Sequence, residues 1–312
     1  MGRRKTGRLV NGVLLLDKPI GMSSNAALQQ VRRFFDARKA GHTGALDPLA
    51  TGLLPVCLGE ATKFSHFLLD ADKTYEVVAQ LGVRTTTSDA DGEVVSTSTV
   101  TQTAADVSAL IPAFVGEQMQ QPSLYSALKY EGRPLYYYAR NGIEVPRKQR
   151  QINIYSIELL DFNPQLAQAT MRVRCSKGTY IRTLVDDIGE RLGCGAHVAQ
   201  LRRTEVSGIE GNMITLDALA ELAQQAPTVA ELDQLLLPMD ATIATLPEVL
   251  IDAAAALLFQ HGHAVTPTTP VNTSNSVVRV RDELGQFHGI ATWEGELLQP
   301  KRVVNLDCKP SV

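Results

Sequence analysis

The apolar residues of this chain come in short bursts whose period switches between two and three-to-four, and no burst is long. The longest uninterrupted apolar stretch, Ala253 to Phe259, is seven residues, against the roughly 20 that a bilayer-crossing helix needs. A chain patterned this way has to bury many small amphipathic helices and strands against one another. Asn11 to Lys18 reads as a short buried strand broken by Pro19-Ile20-Gly21. Ser23 or Ser24 then caps a helix on which Leu28, Val31 and Phe35 recur, predicted to run to Lys39. Tyr75, Val77, Ala79 and Leu81 alternate in a strand ending at Gly82, and 104–115 reads as a helix. In 169–175, Met171, Val173 and Cys175 oppose Arg172 and Arg174; Lys177-Gly178-Thr179 then turns into a helix bearing Ile181, Leu184, Val185, Ile188 and Leu192, stopped by Gly193. Helices follow at 215–224, 228–236 and 252–260. After a polar linker at 266–275, alternating strands at 277–281, 286–293 and 297–304 form a small β-rich module. At 312 residues, two units of unequal size are expected.

Composition narrows the class. With 44% hydrophobic and 20% charged residues the chain is neither disordered nor fibrous. The start is basic but lacks an apolar core, which argues against a secretory signal and for the cytoplasm. Cys57, Cys175, Cys194 and Cys308 stand 118, 19 and 114 residues apart. That spacing suits buried thiols rather than a disulfide framework or a zinc site.

The net charge of -3 conceals a division along the chain. Residues 1–203 hold 25 Lys and Arg against 19 Asp and Glu, whereas residues 204–278 hold nine acids and no Lys or Arg. A basic first part makes an anionic partner plausible, because cations displace counterions from phosphates. Residues 123–151 concentrate this tendency, with five of the eight tyrosines and six cations against Glu131 and Glu144. Interleaved cations and flat rings suit looped RNA; a surface helix with its tyrosines packed inward is the alternative.

Gly41-His-Thr-Gly-Ala-Leu-Asp-Pro-Leu-Ala-Thr-Gly52 holds three glycines and a proline, which neither helix nor strand favours. Within it Asp47 is restricted by Pro48 to extended backbone and is the foremost candidate for chemistry. A structural Asx-turn aspartate remains the competing reading. Asp89 and Asp91 lack the further ligands of a calcium loop and read as a capped turn. Phosphate-loop, nucleophile-elbow and metal-ligand motifs are absent.

The blocks beginning at Asn11 (GVLLLDKPIGMSSN), Gly41 (HTGALDPLATGLLPVCLGEATK), Lys73 (TYEVVAQLG), Tyr125 (SALKYEGRPLYYYARNGIEVPR), Cys175 (SKGTYIRTLVDDIGERLGCGAH) and Leu201 (RRT) resemble, in order, the TruB family of tRNA pseudouridine synthases. The resemblance implies an α+β fold with a central mixed, largely antiparallel sheet over 11–246, after a basic arm at 1–10. It implies a PUA-like RNA-binding module at 247–312, and it makes 123–151 the RNA-gripping insertion of the stand-alone bacterial type. The implied reaction isomerises uridine at the tRNA T-loop position conventionally numbered 55. No oxidation occurs and no group is acquired, so no cofactor is required.

By the same resemblance Asp47 is the essential carboxylate, as nucleophile or base, and Arg182 pairs with it bidentately. Tyr75 stacks on the target base and its phenol assists proton removal, while Tyr180 and Leu201 line the pocket. His42 enters the opened RNA loop, where a ring replaces lost stacking, and Lys18 supports the Asp47 loop. The expected partner is the tRNA T-stem-loop, with a monomeric enzyme, no membrane and no protein partner. The reading from another class is an RNA-binding folding factor whose catalysis is secondary or vestigial.

Overall fold

The structure, a computed structural model, describes residues 7–126, 128–270 and 276–305. The first six residues of the basic arm, the end of the 266–275 linker, Cys308 and the last residues of the C-terminal module lie outside the described residues.

In chain order come β1 (Gly12–Lys18), α1 (Ser24–Phe34), β2 (Ala40–His42), β3 (Thr51–Leu58), α2 (Ser65–Leu69) and β4 (Lys73–Leu81). A hairpin of β5 (Val83–Thr85) and β6 (Val94–Thr97) precedes α3 (Ala104–Leu110) and β7 (Gly116–Gln120). A second hairpin, β8 (Lys129–Tyr130) and β9 (Arg133–Pro134), leads into α4 (Leu135–Arg140). Then follow β10 (Arg150–Asn163), β11 (Gln168–Cys175), α5 (Ile181–Leu192), β12 (Ala196–Val206), β13 (Ile214–Thr215) and α6 (Leu216–Gln225). The last elements are β14 (Glu248–Ile251), α7 (Ala253–Gln260), β15 (Val277–Asp282), β16 (Phe287–Trp293) and β17 (Leu298–Val303).

Nine strands form one mixed sheet in the order β13-β1-β3-β12-β4-β11-β10-β7, with β2 also paired to β3. Only β1–β13 and β3–β12 are parallel. The alternation along β4 works as expected: Val77, Ala79 and Leu81 pack under Ile181, Leu184, Val185 and Ile188 of α5. Beyond Thr51, β3 is buried throughout. Leu54, Val56 and Leu58 meet α1 and α6 on one face, while Leu53 and Cys57 enter a separate core on the other.

Three helix expectations need correction. α1 ends at Phe34 instead of Lys39, because Asp36 takes a left-handed φ of 43° and turns the chain back. The 104–115 helix stops at Leu110 and continues as a 3-10 turn, Ile111–Phe114, with Pro112 near its start. Residues Val229–Leu235 are likewise a 3-10 turn.

The C-terminal module is a four-stranded sheet, β14-β15-β16-β17, covered by α7 through Ala256 and Phe259. It docks on the larger unit through Phe287, edge-on to Phe64 at 5.4 Å. Buried Asp240 accepts from Arg279 (3.0 Å) and from Arg281, and Glu248 bonds the same two arginines at 3.3 and 3.0 Å.

Candidate active site

The Asp47 loop is pinned from every side. Fully buried Lys18, at the end of β1, donates through Nζ to the carbonyls of Pro19 (2.8 Å), Met22 (2.6 Å) and Pro48 (3.4 Å). Gly21 donates its N–H to Pro48 (2.8 Å). Ser24, in the first turn of α1, both accepts from the Leu46 N–H (2.7 Å) and donates to the Leu46 carbonyl (3.0 Å). Where the loop runs into β3, Gly52 has a φ of 97°, and a Cβ built there falls on the carbonyl of Arg203 in β12. Loop and sheet therefore touch backbone to backbone.

So held, the loop presents a half-exposed Asp47 carboxylate to a cleft lined by Leu46, Tyr75, Tyr180, Arg182, Leu201 and Arg203. Gln120 at the end of β7 fixes the start of α5, donating to the Tyr180 carbonyl (3.0 Å) and accepting its N–H (2.8 Å). Two residues on, buried Arg182 reaches Asp47 Oδ2 through Nε at 3.0 Å. The pair is not bidentate: Nη1 goes to Asp89 Oδ2 and the Thr87 carbonyl, both at 3.2 Å, and Nη2 to the Tyr125 carbonyl at 3.0 Å. One guanidinium thus serves two carboxylates and two carbonyls, so its orientation is set by four acceptors on different segments. Asp89 also accepts from the Asp91 N–H (3.1 Å) and the Thr87 hydroxyl, the capped turn expected.

Burial pushes the Asp47 carboxyl above its ordinary range; Arg182 and Lys18 pull it back, and Asp89 adds to the rise. Burial also lowers the Lys18 ammonium to about 8, against the attraction of Asp47.

Tyr75 sits on β4 opposite Val173 of β11 and Arg203 of β12. Its phenol is raised by burial, opposed by Arg203. Tyr180 lines the cleft with the Arg150 guanidinium 5.8 Å from its ring centre. His42, at the end of β2 opposite Val56, is not among the cleft-lining residues. Its buried Nδ1 has no hydrogen-bond partner, and burial followed by Arg203 lowers its pKa.

Two cleft groups, Lys73 and Arg203, and the buried Asp89 behind Arg182 were not expected as site residues. Asp89 lies in a polar turn with no positional signal. Lys73 lines the cleft, its Nζ donating to the carbonyls of Leu68 (3.0 Å), Leu69 (2.8 Å) and Ala71, and burial lowers it to about 8. Arg203 stands where an alternating strand should bury an apolar side chain. Among the described residues, no group of three or more His, Cys, Asp or Glu side chains is placed to hold a metal.

Residues 32–181 match the TruB family pseudouridylate synthase N-terminal domain, 182–244 the tRNA pseudouridylate synthase B C-terminal domain, and 247–304 the C-terminal domain of pseudouridine synthase II TruB. The tRNA pseudouridine synthase B of Idiomarina loihiensis is 55% identical over 303 residues, covering 97% of this chain and 96% of the relative. That of Vibrio atlanticus is 54% identical over 311 residues, covering 97% of each. Among solved structures, a chain of a Cbf5-Nop10-Gar1 complex superposes with a TM-score of 0.69 at 26% identity, over 94% of this chain and 84% of the other. More than half of the aligned residues are shared with the Idiomarina and Vibrio relatives along nearly the whole length, so the chain belongs to the TruB family of pseudouridylate synthases.

Proposed function

We propose that this chain isomerises uridine to pseudouridine in the T loop of tRNA, at the position conventionally numbered 55. The observation that carries the reading is the rigidly held Asp47, one Arg182 bond away from a second carboxylate and across the cleft from Tyr75. A flipped uridine enters this cleft with its base against Tyr75 and its ribose toward Asp47. The N1–C1′ bond breaks and its electron pair stays with the ring. The ring turns, C5 bonds to C1′, the C5 proton leaves and N1 gains a proton, so nothing is added or lost.

Asp47 serves either by attacking C1′ or by taking a ribose proton. Both roles need the ionised form that Arg182 and Lys18 favour. Tyr180 and Leu201 close the pocket around the base, Lys18 supports the loop from below, and His42 fills the RNA loop vacated by turned-out bases. The reading is of a monomeric enzyme acting in the cytoplasm. The C-terminal module, PUA-like in this reading, contacts RNA beyond the loop.

The test is conversion of uridine to pseudouridine on a T-stem-loop RNA, measured with binding on one preparation. Conversion by the parent supports the reading. Binding without any conversion overturns it in favour of an RNA-folding factor.

A further inference from the structure

Among the described residues Arg203 is the largest fully buried side chain, 1% exposed, and it lines the cleft. Its Nε donates to the Leu53 carbonyl (2.7 Å) and Nη2 to the Gly44 carbonyl (3.1 Å), three residues before Asp47. Its backbone pairs with Tyr75 on one side and Gly52 on the other. The guanidinium therefore stands between the Asp47 loop and the stacking tyrosine.

Arg203 forms no ion pair with a carboxylate among the described residues. This is an odd choice for structure alone. A guanidinium stays charged under all ordinary conditions, burying a charge is costly, and a well-packed neutral side chain commonly serves a core at least as well. Its sister Arg202, by contrast, is neutralised by Asp17 at 2.9 and 2.7 Å. The groups facing Arg203 are His42 on β2, Lys73 and Tyr75 on β4, and Asp47, which lines the same cleft.

We propose that Arg203 is an electrostatic positioning residue: it sets the height of the Asp47 loop against Tyr75, and its unneutralised charge holds the uracil ring while that ring carries negative charge. The inference rests on the proposed function. When N1–C1′ breaks, the bonding pair remains on the uracil and spreads over its ring and carbonyl oxygens. That charge disappears when C5 bonds to C1′ and the C5 proton departs. A fixed cation at the cleft floor stabilises the interval without any proton transfer of its own. Its field acts on its neighbours: it draws the Tyr75 phenol toward ionisation, against the opposing effect of burial, and disfavours protonation of His42.

The test uses two variants of the full chain with T-stem-loop RNA, followed as single-turnover conversion at saturating enzyme. Arg203→Gln removes the charge and should slow conversion at least about 100-fold, the order seen when one charge-stabilising donor is lost, with RNA affinity within about threefold of the parent. Arg203→Lys keeps a charge that pH can switch off. Burial has already lowered two neighbouring lysines to about 8, so the replacement ammonium should lose its proton in the same range. Its rate should fall more steeply than the parent's as pH rises from about 7 to about 9, since Lys18 and Lys73 titrate in both proteins while the parent's guanidinium stays charged.

A profile parallel to the parent's, activity absent at every pH, or a glutamine variant within about threefold of the parent rate overturns the inference. If Arg203→Gln fails to fold, the lysine profile decides alone. A parent that converts no uridine overturns the proposed function instead, so the two failures are distinguishable.

Discussion

The loop around Asp47 and the insertion at 123–151 are built on opposite principles. The loop is bonded to β1, to α1, to β12 and to α5, in each case through a buried side chain of that element. The insertion is held mainly by itself. Leu135 donates to Leu128 (2.7 Å), Tyr136 to Ser126 (3.1 Å) and Arg147 to the nearby Pro122 carbonyl (2.9 Å). Tyr136 and Tyr137 are exposed, with Arg140 and Arg133 over their rings at 5.6 and 4.6 Å. Bond breaking needs a carboxylate already in place before substrate arrives, whereas gripping an irregular nucleic acid needs rings and cations able to adapt. Damage to the loop should therefore remove rate, and damage to the insertion should remove affinity.

The sharpest way to break this contrast is Asp47→Asn. Asparagine keeps the shape before Pro48 but cannot act as base or nucleophile, so conversion should fall by at least about 1,000-fold with RNA affinity nearly normal. Substantial conversion by a folded variant removes Asp47 from the chemistry; joint loss of binding and folding makes it structural. Tyr75 comes next. Tyr75→Leu should raise the dissociation constant about tenfold through lost stacking, while Tyr75→Phe should bind normally and lower single-turnover rate by about 10- to 100-fold if the phenol moves a proton. A phenylalanine variant equal to the parent in both assays leaves the phenol no chemical role.

On the other side, replacing Arg147, Lys148 and Arg150 together by alanine should weaken RNA binding about tenfold and flatten its dependence on salt, with the saturated rate unchanged. Because Arg147 is spent on Pro122 and Arg150 sits by Tyr180, Lys148 should carry the largest part of the change in slope. An unaltered slope takes this segment out of the phosphate contacts. The smallest effect is on stability. Lys18 has a folded pKa near 8, below the 10.5 of an exposed lysine. Between these values the unfolded chain binds the extra proton, so this group makes the fold more stable as pH rises from 8 toward 10.5. The stability lost in Lys18→Met should therefore grow across that interval in urea titrations; a constant difference contradicts the buried, charged lysine.

How much of this was legible varied with the regularity of each element. β4, β11 and α5 kept one period throughout and could be read from their apolar residues. β10 could not, because irregularities between Ile154 and Ser156 and between Leu159 and Asp161 shift which residues face the core. β12 has two such shifts and a buried arginine between them. β3 is buried on both faces and contains Pro55, which argues against an interior strand. The same logic governs the site. Asp47 stood out because glycines and a proline framed it, and the other expected residues were named by family resemblance. Asp89 and Arg203 act through distant partners, on α5 for one and on the Asp47 loop for the other, and no local pattern reports such distances.

Gly52 gives these differences a historical edge. Since any side chain there would occupy the space of the Arg203 carbonyl, β3 and β12 could keep their contact only if this position stayed empty through every round of mutation and selection. Loop residues that neither carry the proposed chemistry, as Asp47 does, nor need a left-handed backbone can be exchanged and repaired by a change elsewhere, but no second substitution makes room inside a backbone. Lineages sharing this architecture are thus expected to diverge around a fixed point defined by missing atoms.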